Sequence, residues 1–179
     1  MAEKDLQTAT FAGGCFWCMQ PPFDRIEGVV STVVGYTGGD TSSPTYRQVC
    51  SGSTGHTEAM QVRFDPARVS YQALLEEFWR NIDPTTANGQ FCDLGTQYRT
   101  AIFYHDEEQR RLAEESKLEI EASGRLPAEI MTEIVPATPF YTAEDGHQDY
   151  YLKNPVHYEM YSRGSGRKKR LAEIWRDDD

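Results

Sequence analysis

Apolar and polar residues alternate over 7–11, the period of a short half-buried strand. Past Gly13 and Gly14 the spacing changes. Cys15, Met19, Phe23 and Ile26 recur every three or four positions, which predicts a helix opening near Cys15. Pro21 and Pro22 are expected to kink that helix, because proline has no N–H to donate. Further strands are predicted over 29–36, 58–64, 98–104 and 131–135, where β-branched and aromatic residues sit between turn formers. Ser70 is placed to cap a helix carrying Leu74, Leu75, Phe78 and Ile82 on one face. Asp106 is placed to cap another over 107–123 with a mostly charged surface. One helical turn is expected at 45–50 and a last helix over 167–175. Segments 40–44, 51–56 and 83–97 read as loops. The third is long for a compact domain, and such loops are usually functional. From Phe140 onward Tyr, His and Asp crowd together with little periodicity.

Strands and helices interleave, yet some successive strands are joined by connections too short for a helical crossover. This predicts an α+β fold, a single domain over 1–179 with helices packed on a mixed β-sheet rather than a doubly wound parallel one. A chain of 179 residues can enclose one proper core. The net charge of -10 argues against nucleic acid as a partner. No apolar run approaches membrane-span length, so no membrane partner is expected. The first residues, Met1-Ala2-Glu3-Lys4-Asp5, are charged with no apolar stretch behind them, so a reducing, cytoplasmic location is expected. There, four cysteines point to catalysis, metal binding or simple burial ahead of a disulfide framework.

The run Phe11-Ala12-Gly13-Gly14-Cys15-Phe16-Trp17-Cys18 reads as strand, tight turn and a cysteine at a helix start. Free backbone N–H groups and the positive dipole end are found there. Both favour the thiolate, which is the nucleophile. Cys15 and Cys18 form a Cys-x-x-Cys whose sulfurs can reach each other, so a reversible disulfide is possible. Zinc would need a second ligand pair of similar spacing, and Cys50 and Cys92 belong to none, so no metal is expected. Adjacent aromatics on a helix diverge, so at most one of Phe16 and Trp17 faces the core. The other is left to line a pocket beside Cys15, and an aromatic wall suits an S-methyl group. Taken singly, Glu58 reads as a solvated carboxylate, Tyr46 and Tyr98 as half-buried aromatics, His56 as a loop histidine and Asp93 as a turn former. The basic run Arg167-Lys168-Lys169-Arg170 reads as a solvated helix face.

Taken together, several runs resemble the peptide methionine sulfoxide reductase A family. They are Gly14-Cys15-Phe16-Trp17, Val34-Gly35-Tyr36-Thr37-Gly38-Gly39, Pro44-Thr45-Tyr46, Val49-Cys50-Ser51-Gly52 and Thr54-Gly55-His56-Thr57-Glu58. Asp83-Pro84-Thr85, the run from Asp93 to Arg99, and Ala143-Glu144-Asp145-Gly146-His147-Gln148 with Asn154-Pro155 extend the resemblance over most of the chain. Gly89 stands where the family often has Arg, and Gly146 where it usually has Tyr.

The resemblance implies an α+β fold and reduction of the S epimer of methionine sulfoxide, free or in proteins, with thioredoxin as reductant and no cofactor. It implies Cys15 as nucleophile, Phe16 and Trp17 around the substrate methyl, Glu58, Tyr46 and Tyr98 on the sulfoxide oxygen, and Asp93 ordering the site. Such chemistry needs a proton donor at the departing oxygen, which a carboxyl buried among aromatics can be. Many relatives keep recycling cysteines near the C-terminus. This chain has none after Cys92, so Cys18, one helical turn from Cys15, is the expected resolving thiol. Cys92 is the runner-up, and Cys50 is expected to be buried. A general thiol–disulfide oxidoreductase or thiol peroxidase, and a small zinc-binding module, are the competing readings of the cysteine pattern.

Overall fold

The structure, a computed structural model, describes residues 5–176. Among them the chain runs β1 (Gln7–Gly13), α1 (Phe16–Asp24), β2 (Val29–Thr37), α2 (Tyr46–Cys50), β3 (Thr57–Phe64) and α3 (Tyr71–Arg80). A short hairpin follows, β4 (Gly89–Gln90) and β5 (Asp93–Leu94), then a 3-10 turn at Thr96–Tyr98. The second half holds β6 (Thr100–Tyr104), α4 (Glu107–Ala122), β7 (Glu133–Pro136), β8 (Tyr141–Thr142), α5 (Tyr150–Lys153), α6 (Pro155–Gly164) and α7 (Arg167–Ile174). Six strands form one sheet in the order β7-β6-β1-β3-β2-β8. All pairings are antiparallel except β6 with β7, where α4 serves as the crossover a parallel pair requires. The mixed sheet and single α+β domain expected from the sequence are what is found.

Alternation along each strand decides which face carries the helices. Ala9 and Phe11 on β1, Met60, Val62 and Phe64 on β3, and Ile102 on β6 point into one core with Met19 and Phe23 of α1 and Leu74, Leu75 and Phe78 of α3. Phe11 is at its centre, with ring centroids 5.0 Å from Phe78, 5.6 Å from Phe23 and 6.1 Å from Tyr71. The opposite face has a smaller patch of Ala12, Ala59, Ala101 and Phe103, covered by Val135, Ala137 and Phe140. Ser70 and Asp106 cap α3 and α4 through side-chain bonds to Ala73 N–H and Gln109 N–H, as their spacing predicted. Thr45 and Gln48 form a full capping box on α2.

Three expectations need correction. The strand expected over 98–104 begins only at Thr100, because the Thr57 hydroxyl ties the carbonyls of Gln97 (3.1 Å) and Arg99 (3.0 Å) and holds the preceding residues in a turn. The loop 83–97 contains the β4–β5 hairpin, pinned by the Gln90 side chain to the N–H and carbonyl of Asp83. Gly89 is needed there, since a Cβ would lie 2.8 Å from the Asp93 carbonyl oxygen. The stretch beyond Phe140 holds β8 and the helices α5 and α6. Their period is weak because Val156 and Met160 face outward, while α6 fully buries only Ser162. Pro21 and Pro22 both lie inside α1, which continues to Asp24. No helix among the described residues is long and apolar enough to cross a membrane.

Phe11→Ala should cost about 3–5 kcal/mol, the usual range for removing a fully buried phenylalanine. Denaturant unfolding checks this, and an unchanged denaturant slope would show that the loss is of core packing alone.

Candidate active site

The site starts from the buried row of β3. Glu58 continues the Met60, Val62, Phe64 alternation, so its carboxyl points into the helix-bearing core and is only 2% exposed. Tyr36 is its partner across the β2–β3 pairing. Over this corner the chain leaves β1 and enters α1 through Gly14, held at φ +83°, where a Cβ would sit 2.6 Å from the Gln90 side chain. Cys15 is then the N-cap of α1, and its side chain caps no backbone N–H. The first helical N–H, that of Phe16, donates instead to Glu58 Oε2 at 3.0 Å. One hydrogen bond thus joins the helix that follows Cys15 to a buried carboxyl.

Electrostatics follow from that burial. Desolvation pushes the Glu58 pKa up to about 8 despite the Phe16 bond, with Asp93 and Cys18 adding to the rise. Glu58 is therefore mostly protonated near neutral pH, a hydrogen-bond donor rather than a solvated anion. Cys15, 5% exposed, is pushed well above the ordinary thiol range by burial, with Cys18 and Glu58 reinforcing it. Cys18 is pulled down to about 7 by its hydrogen bond with Cys15 and by the charge of Arg167, against its own burial. The sequence predicted a thiolate favoured at Cys15 by the helix terminus. Burial outweighs that effect, since the first N–H is already bound to Glu58, and the pair shares one acidic proton whose loss centres on Cys18.

Aromatic side chains enclose the pair. Phe16 is fully buried, with ring centroids 5.9 Å from Tyr36 and 6.4 Å from Tyr46. Trp17 is half-buried, stacked on Tyr150 at 4.0 Å and meeting Tyr161 edge-on at 5.8 Å. One of the two aromatics faces the core, and the other lines the rim. Tyr46 and Tyr98 lie close enough to Glu58 and Cys50 to feel the charge of both. Their phenols are held protonated by burial and the nearby carboxyl. Asp93 accepts a hydrogen bond from Tyr161, whose hydroxyl also reaches Cys15. The residues to which the resemblance gave roles, Cys15, Cys18, Phe16, Trp17, Tyr46, Glu58, Asp93 and Tyr98, thus lie in one corner, while His56 braces a loop away from it by accepting from Gly39 N–H.

Other participants carried no signal of their own. His147 Nδ1 accepts from the Trp17 indole N–H at 3.1 Å, and its ring stands 4.2 Å from that of Tyr46. Burial lowers its pKa, which favours the neutral ring that this bond requires. Glu144 accepts from the Tyr36 hydroxyl and the Tyr46 N–H. The basic run is corrected most sharply. Lys168 and Lys169 are exposed, but Arg167 is buried against the Gly13–Gly14 turn and Arg170 pairs with Asp83 at 2.8 Å. Cys50, expected to be buried, is half-exposed beneath the two tyrosines, and Cys92 is exposed. A cleft of about 470 Å³ between α3 and α4 contains none of these groups. No cluster of three or more His, Cys, Asp or Glu among the described residues could hold a metal ion.

A buried thiol pair beside a protonated carboxyl and tyrosine hydroxyls defines a cysteine-dependent oxidoreductase that acts on an oxygen-bearing substrate. Comparison with known proteins narrows the class. The family model of peptide methionine sulfoxide reductase matches residues 7–179. Peptide methionine sulfoxide reductase MsrA of Listeria monocytogenes is 53% identical over 98% of this chain and 99% of its own, and that of Bacillus velezensis 54% identical over 99% of both. Among solved structures, methionine sulfoxide reductase A of Corynebacterium diphtheriae matches with TM-score 0.77 at 36% identity, covering 87% of this chain and 78% of that one. Mxr1 of Saccharomyces cerevisiae in its reduced form matches with TM-score 0.78 at 34% identity, covering 86% and 88%. The chain belongs to the peptide methionine sulfoxide reductase family.

The protonated Glu58 makes a pH prediction. Its folded pKa of about 8 lies above the ordinary 4.5, so the stability it confers is fully present below 4.5 and lost as pH rises through about 8. Glu58→Gln should remove that dependence, so the stability difference between wild type and variant should shrink or reverse between pH 5 and pH 9 in thermal unfolding. Turnover should fall about 100- to 10,000-fold in this variant, with a much smaller change in KM, as for loss of a general acid.

Proposed function

We propose that this chain reduces the S epimer of methionine sulfoxide, free or in proteins, with Cys15 as nucleophile and Glu58 as proton donor. The observation that carries the reading is the protonated, buried Glu58 held by the Phe16 N–H beside the thiol pair. A sulfoxide oxygen leaves only when protonated, and Glu58 with the Tyr46 and Tyr98 hydroxyls meets that need. Phe16 and Trp17 offer apolar surface to the methyl group.

In the first half-reaction the Cys15 sulfur attacks the substrate sulfur. The oxygen is transferred in net terms to Cys15, methionine leaves, and a sulfenic acid remains. In the second, the Cys18 thiolate attacks that sulfenic sulfur, hydroxide departs as water, and a Cys15–Cys18 disulfide forms. An external dithiol then reduces the disulfide, and thioredoxin is the assigned reductant. Mxr1 has also been captured in complex with Trx2, in a structure whose likeness to this chain (23% identity, TM-score 0.56) is one of fold. Asp93 orders the site through Tyr161. The location assigned here is the cytoplasm, where four cysteines serve catalysis or burial ahead of a disulfide framework. A disulfide substrate would give the protonated Glu58 no task, which disfavours the general oxidoreductase reading.

An assay with the two separated epimers and a dithiol reductant tests the proposal. Turnover of the S epimer alone is expected, and its absence alongside disulfide or peroxide reduction would select the competing class. Cys15→Ser should fold and show no reduction, since a hydroxyl oxygen is a far weaker nucleophile than sulfur and cannot be carried to a sulfenic acid.

Cys18→Ser should release one methionine per enzyme and then stall with thioredoxin, whereas Cys92→Ser and Cys50→Ser should turn over. Full turnover in Cys18→Ser, or a dominant Cys15–Cys92 crosslink by mass spectrometry, would move the resolving role to Cys92.

A further inference from the structure

Among the described residues Leu152, Val156 and Met160 fall together on α5 and α6 at 65%, 73% and 70% exposure. The other exposed large apolar side chains, Val30, Leu94, Leu118 and Met131, are scattered along the chain. Val156 and Met160 lie about one turn apart on α6 and so share a face. The adjoining face of the same helix carries His157 and Tyr161, which meet Trp17 edge-on with ring centroids at 6.2 Å and 5.8 Å. On α5 Tyr150 stacks on Trp17 at 4.0 Å, and its hydroxyl hydrogen-bonds with His157 Nδ1 at 2.6 Å. The apolar positions therefore border the rim of the site. On their outer side Arg163 donates to Glu159 at 2.6 Å, so the charges beside the stripe answer each other. Single exposed apolar residues are normal, whereas a group of them beside a binding site marks a surface that meets a partner.

We propose that this face of α5 and α6 seats apolar side chains that flank the oxidised methionine in a polypeptide substrate. The proposal rests on the reductase reading above. Cys15 is 5% exposed, so the sulfoxide side chain has to enter while the substrate backbone stays outside, against Trp17 and its rim. Val156 and Met160 are each next in sequence to a ring that packs on Trp17. An extended chain covers about 3.3 Å per residue, so residues roughly two to four positions from the sulfoxide arrive over the stripe. The lesion itself supplies such neighbours. Methionine fills cores, and its sulfoxide disrupts them, which exposes the apolar residues packed around it. A folded partner fits less well. Three side chains fall short of the roughly 600 Å² a side that a stable interface or a dimer buries.

The test compares N-acetyl-methionine-S-sulfoxide with two peptides, each carrying one methionine-S-sulfoxide. One peptide has leucine at the positions two to four residues away on both sides, and the other has glycine and serine there. A small dithiol serves as reductant, so docking of a protein reductant does not enter. Wild type should reduce the leucine peptide with kcat/KM about fivefold or more above the glycine–serine peptide, the difference lying in KM. The double variant Val156→Ser, Met160→Ser changes only exposed side chains, and unchanged thermal unfolding checks its fold. It should bring that ratio below about twofold and leave the N-acetyl compound within about twofold of wild type. Equal kcat/KM on both peptides in wild type, or a ratio that survives in the variant, would overturn the proposal. Should the double variant lose stability, Met160→Gln, of similar length, should still lower the ratio, and an unlowered one would overturn the proposal. With thioredoxin as reductant, a raised KM for thioredoxin beside an intact peptide ratio would give this face to the reductant and overturn the proposal. So would a wild-type dimer in sedimentation that the double variant dissociates, which would give the face to a second copy. A wild type that reduces neither peptide nor the N-acetyl compound overturns the reductase reading and this proposal with it. One that reduces the N-acetyl compound without preferring the leucine peptide overturns this proposal alone.

Discussion

The site depends on one hydrogen bond, from the Phe16 N–H to Glu58 Oε2 at 3.0 Å. It satisfies the first free N–H of α1 and one oxygen of a carboxyl that the alternation of β3 forces into the core. A lone N–H bond does not repay the burial of a negative charge, so the carboxyl keeps its proton. Holding that proton up to a pH of about 8 corresponds to a bias against the ionised form on the order of 5 kcal/mol. The glycine turn, the placement of Cys15 and the inward face of Phe16 all follow from docking this helix end onto this strand end. A poor acid in water becomes a poised donor because two elements of secondary structure meet there.

The rest of the site comes from far along the chain. Glu144 and His147 fix the tyrosine and tryptophan walls, Tyr161 ties Asp93, and Arg167 braces the turn before Cys15. The motif near the N-terminus supplies the reacting sulfurs, and the last third of the chain sets their surroundings. Burial is what makes that arrangement chemically effective. Within one pair of cysteines it raises one thiol, while a hydrogen bond and a cation lower the other, so the two sulfurs ionise differently.

Much was legible in the residues alone, where the signal is local. Period-two alternation marked β1 and β3, a β-branched run before two glycines marked β2, caps marked α3 and α4, and the Gly-Gly-Cys run marked a turn into a helix at Cys15, because each rests on neighbours a few positions apart. The joint motif pattern identified the family, and the resemblance implied the roles of Glu58, Tyr46, Tyr98 and Asp93. No local property distinguished those residues from a surface carboxylate, two ordinary aromatics and a turn former. The tertiary structure alone decided that Glu58 is buried and protonated, that the helix terminus does not by itself make Cys15 a thiolate, and that Arg167 leaves a basic surface run to enter the core. Those outcomes depend on dielectric and on partners more than a hundred residues away. A sequence window carries the periodicity of an element, whereas the charge state of a side chain is set by everything packed around it.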